Sequence, residues 1–222
     1  MNEARGRLRG LYAITPEGLD TGTLLARVEQ SLAGGASLVQ YRAKSVAPGV
    51  ALEQARAISK ACRSHGALFI VNDSVELAAA SQAHGVHLGR EDADPRAARA
   101  AMPSAIIGVS CYADASLAAR AARTGADYVA VGSVFPSATK PGAQRAALAC
   151  IGAAREASGL PVAAIGGITP GNAPQAIAAG ADMVAVISAL FESPDIAATA
   201  RAFARSFESG SQVHGEPQRR AV

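Results

Sequence analysis

The stretch GADYVAVG, from Gly125 to Gly132, decides the fold. A glycine placed to end a helix is followed by a two-residue lead-in, Ala126-Asp127, and then by a run of β-branched and aromatic residues that reads as a strand. The phrase returns as Gly180-Ala181-Asp182-Met183-Val184 and, with serine for the acid, as Gly35-Ala36-Ser37-Leu38-Val39. A repeated helix-stop, strand-start signal implies βα units strung together within one domain.

Working outward from these three places, short β-type runs occur at LYAI (11–14), SLVQYR (37–42), LFIV (68–71), GVHL (85–88), IIGVS (106–110), DYVAVG (127–132), PVAAI (161–165) and DMVAVIS (182–188). Between most of them lie Ala-rich segments of helical period, such as TLLARVEQSLA (23–33), ALEQARAISKAC (51–62) and LAARAARTG (117–125). Eight strands alternating with helices predict a single (β/α)8 TIM barrel of the α/β class. A doubly wound open sheet has the same periodicity, but its G-x-G-x-x-G is missing, because the first strand runs into Thr15-Pro16-Glu17-Gly18. Asp94-Pro95, Thr169-Pro170 and Ser193-Pro194 each place a capping side chain before a proline suited to a first helical turn, so helices are expected to begin there.

Composition agrees. Half of the 222 residues are hydrophobic, 22 are glycine and only 4% are aromatic, with no Trp. A chain so poor in rings offers few platforms on which bases could stack, and a net charge of +3 is too small for a nucleic-acid surface. Cys62, Cys111 and Cys150 are odd in number and form no C-x-x-C, so neither a zinc knuckle nor a disulfide framework is indicated. No apolar run has the length of a signal peptide core or a membrane span. The expectation is a soluble cytoplasmic protein with no nucleic-acid or membrane partner. Residues 1–10 read as a flexible N-terminal segment, 11–208 as the barrel and 209–222 as a disordered polar tail.

In a barrel of this kind the chemistry sits where strands end. Strand 2 leaves through Gln40, Arg42 and Lys44, which a period of two puts on one side. Strand 3 ends in Asn72-Asp73, strand 4 is followed by Glu91-Asp92, strand 5 ends in Ser110, and the loop after strand 6 carries Ser137, Thr139 and Lys140. Two carboxylates beside several cations form either ordinary rim salt bridges or a ligand site. A hydrated Mg2+ on Asp73 and Asp92, with Arg42, Lys44 and Lys140 gripping phosphate, fits the mixture. Gly166-Gly167 and Ser188, after strands 7 and 8, make either a plain turn or a second phosphate site built from backbone N–H groups. Two anion sites on one mouth imply two phosphorylated small-molecule substrates, or one substrate phosphorylated at both ends. His87 reads as a packed barrel histidine and Cys111 as a small buried side chain; His65 and His214 read as surface residues.

LYAITP, QYRAK, NDSVELA, GVHLGREDAD, IIGVSCY, DYVAVGSVFPSATKPGA, AIGGITPGNA and VAVISAL together resemble the successive motifs of the thiamine phosphate synthase family, from about Leu11 to Phe207. The resemblance implies a transferase that joins a pyrimidine diphosphate to a thiazole phosphate, or its carboxylated form, with Mg2+ and release of pyrophosphate. It implies that Gln40, Arg42, Lys44, Asn72, Ser110 and Lys140 hold the pyrimidine diphosphate and that Asp73 and Asp92 bind Mg2+. Ser137, Thr139, Gly167, Ile187 and Ser188 would then hold the thiazole phosphate, with Gly166 beside them. The chain departs from the family pattern at Arg90, where Gln is usual, at Ser137, where Thr is usual, and at Tyr112, where His is frequent.

The expected chemistry is substitution at the exocyclic methylene of the pyrimidine, so the barrel's task is alignment and stabilisation of the leaving diphosphate, chiefly by Arg42, Lys44, Ser110 and Lys140. Two rival readings fit the same barrel: a thiazole tautomerase, which would not need Asp73, Asp92 and Lys140 together, and a non-catalytic regulator that binds thiamine precursors. A homo-oligomer is compatible with the sequence and not derivable from it.

Overall fold

Every strand carries side chains alternately inward and outward, and this alternation explains the architecture. In the computed structural model, which describes residues 6–136 and 145–209, the strands are β1 (Gly10–Ile14), β2 (Leu38–Tyr41), β3 (Leu68–Asn72), β4 (Gly85–Leu88), β5 (Ile106–Tyr112), β6 (Tyr128–Gly132), β7 (Val162–Ile165) and β8 (Met183–Val186). All pair in parallel with their sequence neighbours, and β1 pairs with β8 from Gly10 against Met183 to Ala13 against Val186. That last pairing closes the barrel and excludes the open sheet.

Tyr12, Ile14, Leu38, Leu68, Ile70, Ile106, Tyr128, Ala163, Met183 and Ala185 fill the inside. Leu8, before β1, joins this inner cluster and is 3% exposed. The intervening residues, among them Leu11, Val39, Phe69, Val86, Ile107, Val129, Ala164 and Val184, face outward into a second layer against the helices. Each fully buried Leu, Val, Ile or Phe among them contributes about 1.5–3 kcal/mol. Gly108 faces inward on β5, and a Cβ there would stand 2.0 Å from Tyr128 Cζ. A side chain at 108 is thus excluded by the Tyr128 ring.

The helices among the described residues are α1 (Thr21–Ala33), α2 (Pro48–Ser64), α3 (Val75–Ala80), α4 (Pro95–Ala101), α5 (Ala115–Arg123), α6 (Ala149–Ser158), α7 (Ala173–Ala178), α8 (Ser188–Phe191) and α9 (Ile196–Ser209). In α1 the buried Leu24, Val28, Ser31 and Leu32 recur at helical spacing, as the sequence period requires.

The repeated phrase has a shared geometry. Gly35, Gly125 and Gly180 adopt φ of +96°, +92° and +105°, a region that other residues enter only with strain. In two copies the acid then staples neighbouring strands: Asp127 Oδ2 accepts from Ile107 N at 2.8 Å, and Asp182 Oδ2 accepts from Val162 N at 2.9 Å. Arg99 of α4 and Arg155 of α6 pair with these same carboxylates.

Two helix starts differ from expectation. Asp94 caps α4, with its carboxylate accepting from Arg96 N at 2.7 Å. The segment after Thr169-Pro170 instead makes a turn, held by Thr169 N donating to Asn172 Oδ1 at 2.8 Å, and α7 begins only at Ala173. Likewise Asp195, not Ser193, receives the Ala198 N–H, at 2.8 Å, so α9 begins at Ile196. Before α9 a carboxylate nearer the helix supplies the cap, whereas Asn172 uses its carboxamide on the turn, accepting from Thr169 N and donating to Gly167 O, and makes no side-chain cap bond to α7.

Candidate active site

Strands β2, β3 and β4 deliver their last side chains to one end of the barrel. Lys44, beyond β2, has its Nζ 3.3 Å from Oδ2 of Asp73, beyond β3. Asp92, from the loop after β4, lies against Asp73. Burial, reinforced by this second carboxylate, pushes the Asp73 carboxyl above its usual range, while Lys44 pulls it back. Asp73 has φ +64°, and its N–H donates to His87 O at 2.8 Å. Asp92 Oδ2 accepts from Gly89 N at 2.6 Å. Two carboxylates held this closely repel one another, and a divalent cation with oxygen ligands relieves such a pair. Among the described residues no cluster of three or more His, Cys, Asp or Glu could hold a metal. Asp73 and Asp92 could offer such an ion two carboxylates, its remaining ligands coming from water and phosphate.

Arg42 reaches back to the loop after β1, where Nη1 donates to Glu17 Oε1 at 2.6 Å. Its backbone N–H donates to Thr15 Oγ1 at 3.0 Å, and Lys44 N donates to Glu17 Oε1 at 3.4 Å. Glu17 thus organises the exit of β2, a role that sequence reading missed because a loop has no period to show where its side chains point.

Inside the barrel, five polar groups form one chain. Gln40 Nε2 donates to Tyr12 OH at 2.7 Å, Tyr12 OH meets Tyr128 OH at 2.8 Å, and Tyr128 OH meets His87 Nδ1 at 2.9 Å. His87 Nε2 then meets Ser110 Oγ at 2.9 Å. The His87 and Tyr128 rings stack with centroids 5.5 Å apart. Burial pushes the imidazole down to about 4, against a small upward pull from Asp92, so it is neutral near pH 7. His87 is indeed a packed barrel histidine, 8% exposed, but one tied to two site residues. The signal was available: alternation places Tyr12, Gln40, His87, Ser110 and Tyr128 all inward, and inward polar groups need partners. Asn72 shares the inward phase of Leu68 and Ile70 and stands in register with His87.

On the opposite arc, Gly166 and Gly167 turn the chain after β7 with φ of +102° and +63°. The loop after β6 lies directly on them: Val134 N donates to Ile165 O and Phe135 N to Gly166 O, each at 3.0 Å. A Cβ on Gly167 would stand 2.1 Å from Pro136 O. Asn172 Nδ2 donates to Gly167 O at 3.0 Å and holds the turn from behind. Beyond β8 the extended run stops at Val186, two residues sooner than expected. Ile187, with φ −114° and ψ −89°, leaves the strand, and Ser188 opens α8. Ser137, Thr139 and Lys140 lie outside the described residues. Arg90 sits over the Tyr112 ring, with Cζ 4.8 Å from the centroid, at the strained end of β5, where Tyr112 has φ +57°. Cys111 is buried, with its thiol pushed up to about 12 by that burial, which suits a packed side chain rather than a nucleophile.

Fold and site together define a (β/α)8 barrel with carboxylates, cations and a buried amide gathered where β2 to β5 end and a glycine turn where β7 ends. A sequence profile described as thiamine monophosphate synthase matches residues 11–190. The thiamine-phosphate synthase of Aromatoleum aromaticum is 53% identical over 204 residues, covering 91% of this chain and 98% of the relative. That of Thioalkalivibrio sulfidiphilus is 53% identical over 210 residues, covering 94% and 100%. Among solved structures, thiamine phosphate pyrophosphorylase from Pyrococcus furiosus superposes with a TM-score of 0.85 at 34% identity, covering 94% of this chain and 99% of that one. The chain belongs to the thiamine monophosphate synthase family.

Proposed function

We propose that this protein is a thiamine phosphate synthase, a transferase that joins 4-amino-2-methyl-5-(diphosphooxymethyl)pyrimidine to 4-methyl-5-(2-phosphoethyl)thiazole, or its carboxylated form, and releases pyrophosphate. The observation that carries the reading is the Lys44–Asp73–Asp92 cluster at the ends of successive strands, in a chain 53% identical to thiamine-phosphate synthases over nearly its whole length.

The bond between the pyrimidine methylene and the diphosphate oxygen breaks, and the thiazole nitrogen bonds to that carbon. The electron-rich aminopyrimidine spreads the positive charge that develops on the methylene, so no covalent nucleophile is required. Arg42 and Lys44, with Lys140, take up the charge that appears on the departing diphosphate. Asp73 and Asp92 would hold Mg2+, which when bound neutralises diphosphate charge. Gln40, Asn72 and Ser110 orient the pyrimidine ring so that its methylene faces the thiazole. Gly166, Gly167, Ile187 and Ser188, with Ser137 and Thr139, anchor the thiazole by its phosphate. Holding both substrates by their phosphates suits an interior that is aliphatic apart from the Tyr12–Tyr128 chain. Among the described residues no helix is long and apolar enough to cross a membrane. Charged phosphorylated substrates, which do not cross a bilayer unaided, favour a cytoplasmic location under this reading.

Incubation with both phosphorylated substrates and Mg2+, read by mass spectrometry, should yield thiamine phosphate. Conversion of one thiazole isomer to another with no pyrophosphate would instead indicate a tautomerase. Tight binding of both substrates with no product at any pH or metal would indicate a regulator.

A further inference from the structure

The chain from Gln40 to Ser110 has a direction. Nε2 of Gln40 can only donate, so Tyr12 OH accepts there and has one hydrogen left to give. Among the described residues Tyr128 OH is the acceptor within reach of that hydrogen, and donation there leaves the Tyr128 hydrogen directed at Nδ1 of His87. A neutral imidazole carries one N–H; with Nδ1 accepting, it lies on Nε2 and donates to Ser110 Oγ. The Ser110 hydroxyl, half-buried at the end of the chain, keeps its hydrogen for a further acceptor.

We propose that Tyr128 is a positioning residue: through His87 it fixes Ser110 as a hydrogen-bond donor toward the pyrimidine substrate while Gln40 keeps its carboxamide oxygen as an acceptor. The inference rests on the role proposed above for Gln40 and Ser110. Turning the Gln40 amide over would reverse all four bonds at once and exchange what the two ends present. The two ends therefore read a ligand jointly. An aminopyrimidine supplies the matching pair, an amino N–H for Gln40 and an acceptor atom for Ser110. A pyrimidine with an oxo group in place of the amino group meets an acceptor with an acceptor. Gly108 leaves the space that the Tyr128 ring fills, so the hydroxyl is held where both neighbours reach it.

The test is the 15N spectrum of histidine-labelled, ligand-free protein, in which the two imidazole tautomers have distinct nitrogen shifts. His87 is assigned by the signal missing from His87→Gln. The expected result is one tautomer, protonated at Nε2 and unprotonated at Nδ1. In Tyr128→Phe the Nδ1 partner is gone, so the spectrum should show both tautomers, and KM for the pyrimidine diphosphate should rise roughly five- to tenfold while that for the thiazole phosphate stays within about twofold. A wild-type His87 protonated at Nδ1 overturns the proposal. So does a Tyr128→Phe protein that keeps the Nε2–H form and the wild-type KM. The spectrum needs no turnover, so absence of thiamine phosphate formation would refute the function without touching the tautomer assignment.

Discussion

Nζ of Lys44 lies 3.3 Å from Oδ2 of Asp73, joining the exit of β2 to the exit of β3. Both side chains remain open to solvent, at 55% and 29%, so the pair adds at most about 1 kcal/mol to stability. Its value lies in placing a cation beside the carboxylates. Lys44→Ala is expected to unfold within about two degrees of wild type by calorimetry, yet to lose roughly a hundredfold in kcat/KM for the pyrimidine diphosphate.

Arg99 and Arg155 occupy equivalent places in the repeated βα units but differ in burial. The Asp127 side chain is 1% exposed where Arg99 meets it, whereas Asp182 is 23% exposed beside Arg155. Arg99→Ala strands a buried carboxylate and is expected to cost about 3 kcal/mol, while Arg155→Ala should cost about 1 kcal/mol or less. Urea unfolding of the two variants measures the contrast.

His87 sets an acid limit. Its folded value is about 4, against 6.5 for an unperturbed imidazole, so its contribution is present above pH 6.5, fades as pH falls from 6.5 to 4, and changes no further below that. The full window corresponds to about 3 kcal/mol. The stability difference between wild type and His87→Gln should therefore shrink with falling pH across that interval and be flat from pH 7 to 8, as read by urea unfolding at each pH.

The strands were legible because alternation is local: Leu11-Tyr12-Ala13-Ile14 shows its two faces without reference to the rest of the chain. Closure was not local. Nothing near Gly10 announces that it will pair with Met183, and it is this β1–β8 ladder that separates a barrel from an open sheet. Helix starts were half legible. Proline marked the right neighbourhoods, but Asn172 ties the turn before α7 and Asp195 takes the cap of α9 through side-chain geometry that spacing does not rank.

The same division applies to the site. Lys44, Asp73 and Asp92 could be placed together because a barrel puts consecutive strand ends side by side. The bonds that tie His87 to Tyr12 and Tyr128 were not legible, because residues from β1, β4 and β6 meet only across the closed interior. Glu17 escaped notice because its loop turns back over Arg42.

Pyrophosphate release by wild type and Asp73→Asn, measured side by side, reads whether the carboxylates beyond β3 and β4 serve diphosphate departure. Asparagine suits the comparison because it tolerates the φ of +64° that Asp73 adopts, so the backbone is kept and the charge removed. With both phosphorylated substrates and Mg2+, the wild type should release one pyrophosphate for each thiamine phosphate formed, and the folded variant should be slower by roughly 10²–10³-fold. Wild-type protein that releases no pyrophosphate, or a variant that releases it at the wild-type rate, would rule out that role for Asp73.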